Sequence, residues 1–140
     1  MSRIFWDTNL FIYLFEDYGR FSQRVTQMRK RMRERGDQLV TSTLTLGEIL
    51  VKPIEDNDEA LRRQYREAIL TQAQVVPFDD EVAEHYALIR TDHSIRAPDA
   101  IQLACARKAQ VHLFVTNDEK LSQKNIPGVQ FIATLESAPL

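Results

Sequence analysis

Four carboxylates, Asp7, Glu48, Asp99 and Asp118, have the type and the placing to do phosphate chemistry. Each follows a short apolar run that reads as a strand, either at its end or within the helix after it. In an open parallel α/β sheet such positions converge on one crevice outside the carboxyl ends of the strands. Carboxylates crowded there repel one another and take up protons more readily. Divalent cations relieve that repulsion. A donor set of carboxylates without imidazole or thiolate suits Mg²⁺ or Mn²⁺ better than zinc. One or two such ions neutralise phosphate charge, activate water and stabilise a leaving oxygen, which is what phosphodiester hydrolysis needs.

Each acid also has a local reading. Asp7 opens Asp7-Thr8-Asn9, a sequence that closes an Asx turn. Thr8 and Asn9 are candidates to hold the Asp7 carboxylate or a water beside it. Thr45-Leu46-Gly47-Glu48 fits a Thr-x-x-Glu capping box. Asp99 follows Pro98, where an acid complements the helix dipole by about 0.3–1 kcal/mol. Asp118 suits the cap of a following helix, and its neighbours Asn117 and Glu119 leave the inward-pointing carboxylate open by one residue. Taken singly these signals are weak. Their order is the stronger observation: one acid after each of several strands, the second and third inside the next helix.

The elements that must position them can be read from periodicity and punctuation. Strands are expected at Ile4-Phe5-Trp6, Leu39-Val40-Thr41, Val75-Val76-Pro77-Phe78, His112 to Val115, and Val129 to Ile132 after the Pro127-Gly128 turn. Pro77 places the third at an edge or at its own end. Helices are expected over 10–16, 22–35 with Gly36 as a left-handed cap, and 45–51 stopped at Pro53. Three more are expected over 59–71, from the Asp79-Asp80 cap to Thr91, and from Pro98 to Ala109. Strands alternating with helices imply a parallel sheet covered on both faces.

The chain has 140 residues, a size suited to one domain over 1–140. Its formal net charge of −2 argues against coating nucleic acid by bulk charge, but leaves room for a local basic face. Its one cysteine, Cys105, allows no internal disulfide; it reads as a small buried hydrophobe in a reducing cytoplasm. No secretory signal is visible, and the run Leu10 to Phe15 is far short of the roughly 20 residues a membrane helix needs. His85, His93 and His112 lack metal-ligand spacing.

Together Ile4-Phe5-Trp6-Asp7-Thr8-Asn9, Thr41 to Leu50 around Glu48, Ala97-Pro98-Asp99-Ala100 and Val115-Thr116-Asn117-Asp118 resemble the PIN-domain nucleases. The likeness is greatest to the VapC-like toxins of bacterial and archaeal toxin–antitoxin pairs, and it spans essentially the whole chain. It implies a three-layer α/β/α sandwich with a central, mostly parallel sheet of four to five strands. It implies that Asp7, Glu48, Asp99 and Asp118 are the metal-site acids of a Mg²⁺- or Mn²⁺-dependent endoribonuclease, supported by Asn9 and Thr116. It also implies an RNA substrate, a small cognate antitoxin that lays a helix and tail across the active-site groove, and a homodimer. Many relatives carry an aromatic residue a few positions after the last acid, where this chain has Leu121.

Two further features bear on partners. Arg24, Arg29, Lys30, Arg31, Arg33 and Arg35 crowd one helix whose apolar stripe is Val25, Met28 and Met32. This is either a solvated face or a ridge on which Arg29 and Arg33 contact RNA phosphate. Leu10, Phe11, Tyr13, Leu14 and Phe15 exceed what one helix face needs for a core, so some are candidates to meet an antitoxin helix. The rival readings are a non-catalytic PIN-like scaffold that binds RNA or protein, and a metal-dependent phosphatase. The phosphatase chemistry wants a second Asp two residues after the first, where this chain has Asn9.

Overall fold

Side chains along the first strand alternate between the two faces of the sheet with the two-residue period of a pleated chain. In the computed structural model, which describes residues 1–140, β1 (Arg3–Trp6) sends Ile4 and Trp6 into one apolar layer and Phe5 into another. The remaining strands are β2 (Gln38–Ser42), β3 (Gln74–Val76), β4 (Leu113–Thr116) and β5 (Ile132–Thr134). All pair in parallel, in the order β3-β2-β1-β4-β5. Phe5 and Phe114 are register partners, and their rings stack with centroids 5.0 Å apart.

Helices cover both faces, because parallel strands need crossovers that return the chain to the same end of the sheet. They are α1 (Thr8–Phe15), α2 (Arg20–Arg35), α3 (Thr43–Glu55), α4 (Glu59–Gln72), α5 (Asp80–Arg90), α6 (Ala97–Lys108) and the single turn α7 (Glu119–Ser122). Val25, Met28 and Met32 of α2, Ile49 of α3 and Ile69 of α4 pack on Ile4, Trp6, Leu113 and Val115. Val82 and Ile89 of α5 and the apolar run of α6 pack on Phe5, Val40 and Phe114. The expected three-layer sandwich is the observed one, with five strands. Strand order reverses at β1, so a crevice opens there between β1 and β4 at their carboxyl ends.

The caps follow the sequence closely. Gly36 ends α2 at φ +73°, and Asp79 caps α5 by accepting the Val82 N–H at 2.9 Å. β3 is an edge strand, as Pro77 implies, but it stops at Val76, before the proline. Cys105 is buried, and burial pushes its thiol up to about 12, so it behaves as a small hydrophobe. No helix is long and apolar enough to cross a membrane.

Two expected elements differ most in their bounds. α3 continues through Pro53 to Glu55 instead of stopping there. Proline removes only its own N–H, which would have met the Ile49 carbonyl; in the last turn that loss is one bond. Bonds from Asp56 N to the Lys52 carbonyl (3.0 Å) and Asp58 N to the Pro53 carbonyl (2.8 Å) close the end. The fifth strand is Ile132–Thr134 rather than Val129 to Ile132. Ile126 and Val129 face each other across a tight turn with Gly128 at φ +81°, and both plug the core under α6. A β-carbon at Gly128 would stand 2.6 Å from Nε of Arg107, which there donates to the Pro127 carbonyl at 2.9 Å.

Candidate active site

Asp7 continues the β1 ladder by one residue, its N–H donating to the Val115 carbonyl at 3.1 Å. The two-residue period turns its side chain to the Phe5 face, toward α6. Oδ1 accepts from the Thr8 N–H (2.8 Å) and from Nε2 of Gln102 (3.2 Å); Oδ2 accepts from the Thr116 hydroxyl (3.0 Å). The helix cap and the site acid are therefore the same side chain. Burial pushes the Asp7 carboxyl above the usual carboxylate range; bonds from Thr8, Thr116 and Gln102 oppose that, and nearby Asp99 adds to it.

Thr116 works in one direction. Its oxygen accepts from the Asp118 N–H at 3.1 Å, leaving its single hydrogen for Asp7. Asp118 caps α7, its Oδ1 accepting from Lys120 N (2.9 Å) and Leu121 N (3.1 Å), so Oδ2 remains for other partners. Asp99 is paired with Nε of Arg96 at 3.3 Å, its side chain 15% exposed. Glu48 accepts from the Thr8 hydroxyl at 2.7 Å. The expected Thr45–Glu48 capping box does not form. Ser42 caps α3 instead, its hydroxyl accepting from Thr45 N at 3.2 Å. The helix starts at Thr43, earlier than its apolar pattern suggests, so Glu48 lies beyond capping reach and its carboxylate is released to the crevice.

Sequence reasoning missed Gln102. It is 2% exposed, and its amide ties four segments together. The Ser42 hydroxyl donates to Oε1; Nε2 donates to Thr45 Oγ1 at 2.8 Å as well as to Asp7. The reversed amide would set its oxygen against the Asp7 carboxylate, which fixes this orientation. Thr8 spends its one hydrogen on Glu48, so Thr45 donates to Thr8 at 3.2 Å. A directed chain thus runs Ser42, Gln102, Thr45, Thr8, Glu48. The available signal was a polar residue inside the apolar run Ala100 to Ala106, three places after Asp99 and so on the same helix face.

The four expected acids line one open crevice of about 760 Å³, in which Ile12 is the sole hydrophobic residue. Thr8, Thr116 and the exposed Asn9 line it too. No three Asp, Glu, His or Cys side chains close on a common point as a ready cage for a metal ion. The donor set still fits Mg²⁺ or Mn²⁺, which take one or two carboxylates and keep several waters. Asp7 is the sharpest sign of fit: a carboxylate raised by burial and by Asp99 is one whose ionised form a cation would stabilise.

Arg29 and Arg33 do not line the crevice. Both reach Oε1 of Gln72, at 3.5 and 3.3 Å, beside a separate pocket of about 330 Å³. The cations that do line it are Arg96 and Lys120. The histidines are dispersed; His112 accepts from Arg3 N at 2.9 Å through Nδ1. Leu10 and Phe11 are buried in the core, whereas Tyr13, Leu14 and Phe15 are half-buried, Phe15 stacking on Tyr65 with ring centroids 5.0 Å apart.

A five-stranded parallel α/β sandwich with a carboxylate-lined crevice at its switch point defines the class of protein. The PIN domain model matches residues 4–127, and the chain belongs to the PIN domain family. No curated protein sequence matches it at a significant level. Among solved structures, a toxin–antitoxin complex from Klebsiella pneumoniae is similar at 24% identity and a TM-score of 0.69, over 94% of this chain and 97% of that one. VapBC2 from Rickettsia felis, bound to a DNA fragment from its promoter, is similar at 15% identity and 0.70, over 94% and 98%. VapBC-1 from nontypeable Haemophilus influenzae is similar at 18% and 0.70, over 96% and 98%. At these identities the likeness is one of fold.

Proposed function

We propose that this chain is a metal-dependent endoribonuclease, the toxin of a toxin–antitoxin pair, acting in the cytoplasm. The observation that carries the reading is the convergence of Asp7, Glu48, Asp99 and Asp118, from four separate segments, on one polar crevice at the switch point. Asp7 and Asp99 would hold Mg²⁺ or Mn²⁺, with Glu48 and Asp118 completing the shell directly or through water. The bound ion would supply charge neutralisation at the phosphate and a more acidic water.

The chain's own residues do the positioning. Thr116 and Gln102 fix both Asp7 oxygens. Thr8 engages Oε1 of Glu48, which leaves Oε2 without a protein hydrogen bond. Asn9, exposed at the rim, offers an amide to substrate or water. The half-buried Tyr13, which stacks on Phe21 and accepts from Nδ2 of Asn117, and the half-buried Leu14 are the candidates on α1 to meet an antitoxin helix, a partner also suggested by the toxin–antitoxin complexes that share the fold. A homodimer is part of the same reading.

The Arg96–Asp99 ion pair favours one alternative, a scaffold that binds RNA or protein without cleaving, because it engages a proposed ligand. Incubating RNA with the chain and Mg²⁺ or EDTA separates the two. Cleavage with Mg²⁺ that stops in EDTA is expected. Cleavage surviving EDTA overturns the metal reading, and no cleavage in Mg²⁺ or Mn²⁺ leaves the scaffold. Independently of activity, Mn²⁺ at a hundred times its Kd should stabilise the fold by about 2.7 kcal/mol, read as a rise in melting temperature. An unchanged melt in millimolar Mn²⁺ would count against a metal site.

A further inference from the structure

The crevice poses an electrostatic difficulty for a phosphate polymer: five carboxylates line it against two cations. Substrate must be drawn in from a flank of opposite sign. Both cations, Arg96 and Lys120, stand on the α6–α7 side, and there the crevice runs into a second groove of about 390 Å³. The two share Arg96, Asp99, Asp118 and Lys120, and the second adds Lys124. We propose that this groove is a backbone-phosphate subsite, in which Arg96, Lys120 and Lys124 hold a phosphate of the RNA strand next to the one cleaved. The proposal rests on the nuclease reading of the crevice and assigns the path its substrate takes.

The three cations are available to an incoming anion. Lys120 makes no ion pair, while the bonds from its own N–H and that of Leu121 to Asp118 fix the root of the side chain beside the crevice. Arg96 is 75% exposed and meets Asp99 through Nε, so its terminal nitrogens face outward. The half-buried Lys124 donates to the Ser94 hydroxyl and pairs with Asp92 at 3.7 Å. Contacts of this kind near the surface contribute little, so a phosphate displaces them at small cost. Ile95 and Leu121 are buried in the groove wall, and an apolar wall concentrates the field of cations set above it. Arg29 and Arg33, the basic pair suggested by sequence, serve a different pocket and share no lining residue with the crevice.

The test measures binding of an unstructured single-stranded RNA oligonucleotide by fluorescence anisotropy between about 50 and about 200 mM KCl, in an Asp7→Asn background that prevents cleavage. Adding Lys120→Ala and Lys124→Ala should weaken binding and flatten the plot of log affinity against log salt by about 0.7, the contribution of one single-strand phosphate contact. An unchanged slope overturns the subsite, as does a larger loss from Arg29→Ala with Arg33→Ala. The unmutated chain is assayed in parallel for Mg²⁺-dependent cleavage of the same RNA. Cleavage with a lysine-independent slope removes the groove and leaves the nuclease. Lysine-dependent binding without cleavage does the reverse.

Discussion

Asp7→Asn should lower RNA cleavage by more than about 100-fold, the upper range for losing even a partner of a metal ligand, without lowering the melting temperature in EDTA at pH 7. The two results have one cause. Burial raises the Asp7 carboxyl, with Asp99 adding to the effect. In the unfolded chain an aspartate ionises near about 3.9. Between that value and the raised one, the folded state keeps a proton that the unfolded state has released. Stability therefore falls as pH rises through this window, and the penalty persists above it. Asparagine carries no charge and escapes the penalty, while its oxygen can still accept from Thr8 and Gln102. The stability difference between the two chains should shrink on acidification, as the wild-type carboxyl regains its proton. Wild-type rates from the D7N variant would remove Asp7 from the mechanism. A large drop in its melting temperature would mean that the lost Thr116 bond outweighs the relieved charge.

The acids could be read in the sequence because their signal is local. A carboxylate directly after a buried apolar run is placed by the strand that precedes it, and the topology of a parallel sheet gathers such positions at one edge. Asp7 follows β1 in this way, Asp118 follows β4 after one intervening residue, and Asp99 follows from Pro98 in a first helical turn. Glu48 shows how a local rule misleads. Thr45-x-x-Glu48 satisfies the capping-box pattern, but Ser42 lies three residues upstream and takes the role, because β2 ends there and its hydroxyl meets Thr45 N. Two caps compatible with one sequence are distinguished by where the strand stops, which depends on pairing with β1 and β3.

What was illegible depends on long-range packing. The basic run of α2 is plain in the sequence, but which pocket Arg29 and Arg33 reach depends on how α2 lies against α4, where Gln72 waits. Lys120 is a single lysine in a short polar stretch, and only the return of β4 beside β1 brings it to the crevice. Val129 looks like the start of a strand because it is apolar and follows a turn. It is instead buried by the turn itself, and the ladder begins at Ile132, beside Phe114.

Gln102→Leu should destabilise the fold by about 2–6 kcal/mol, because leucine leaves two buried polar groups short of a partner at about 1–3 kcal/mol each. That cost stands although leucine has nearly the same volume and suits a buried position. The amide accepts from Ser42 and donates to Thr45, and both hydroxyls are fully buried. The substitution also removes a donor from Asp7 Oδ1, so the affinity for Mn²⁺ should fall as well. Gln102→Glu separates the two roles. Its carboxylate can still accept from Ser42, yet it sets a second negative charge against Asp7 in place of a donor. That chain should melt below wild type in EDTA and recover part of the difference in Mn²⁺, because a cation relieves the added repulsion. Urea melts of both variants, with and without Mn²⁺, measure this directly. A Q102L variant within about 0.5 kcal/mol of wild type, the range of an ordinary surface change, would show that Ser42 and Thr45 find other partners and that the amide does not organise the site.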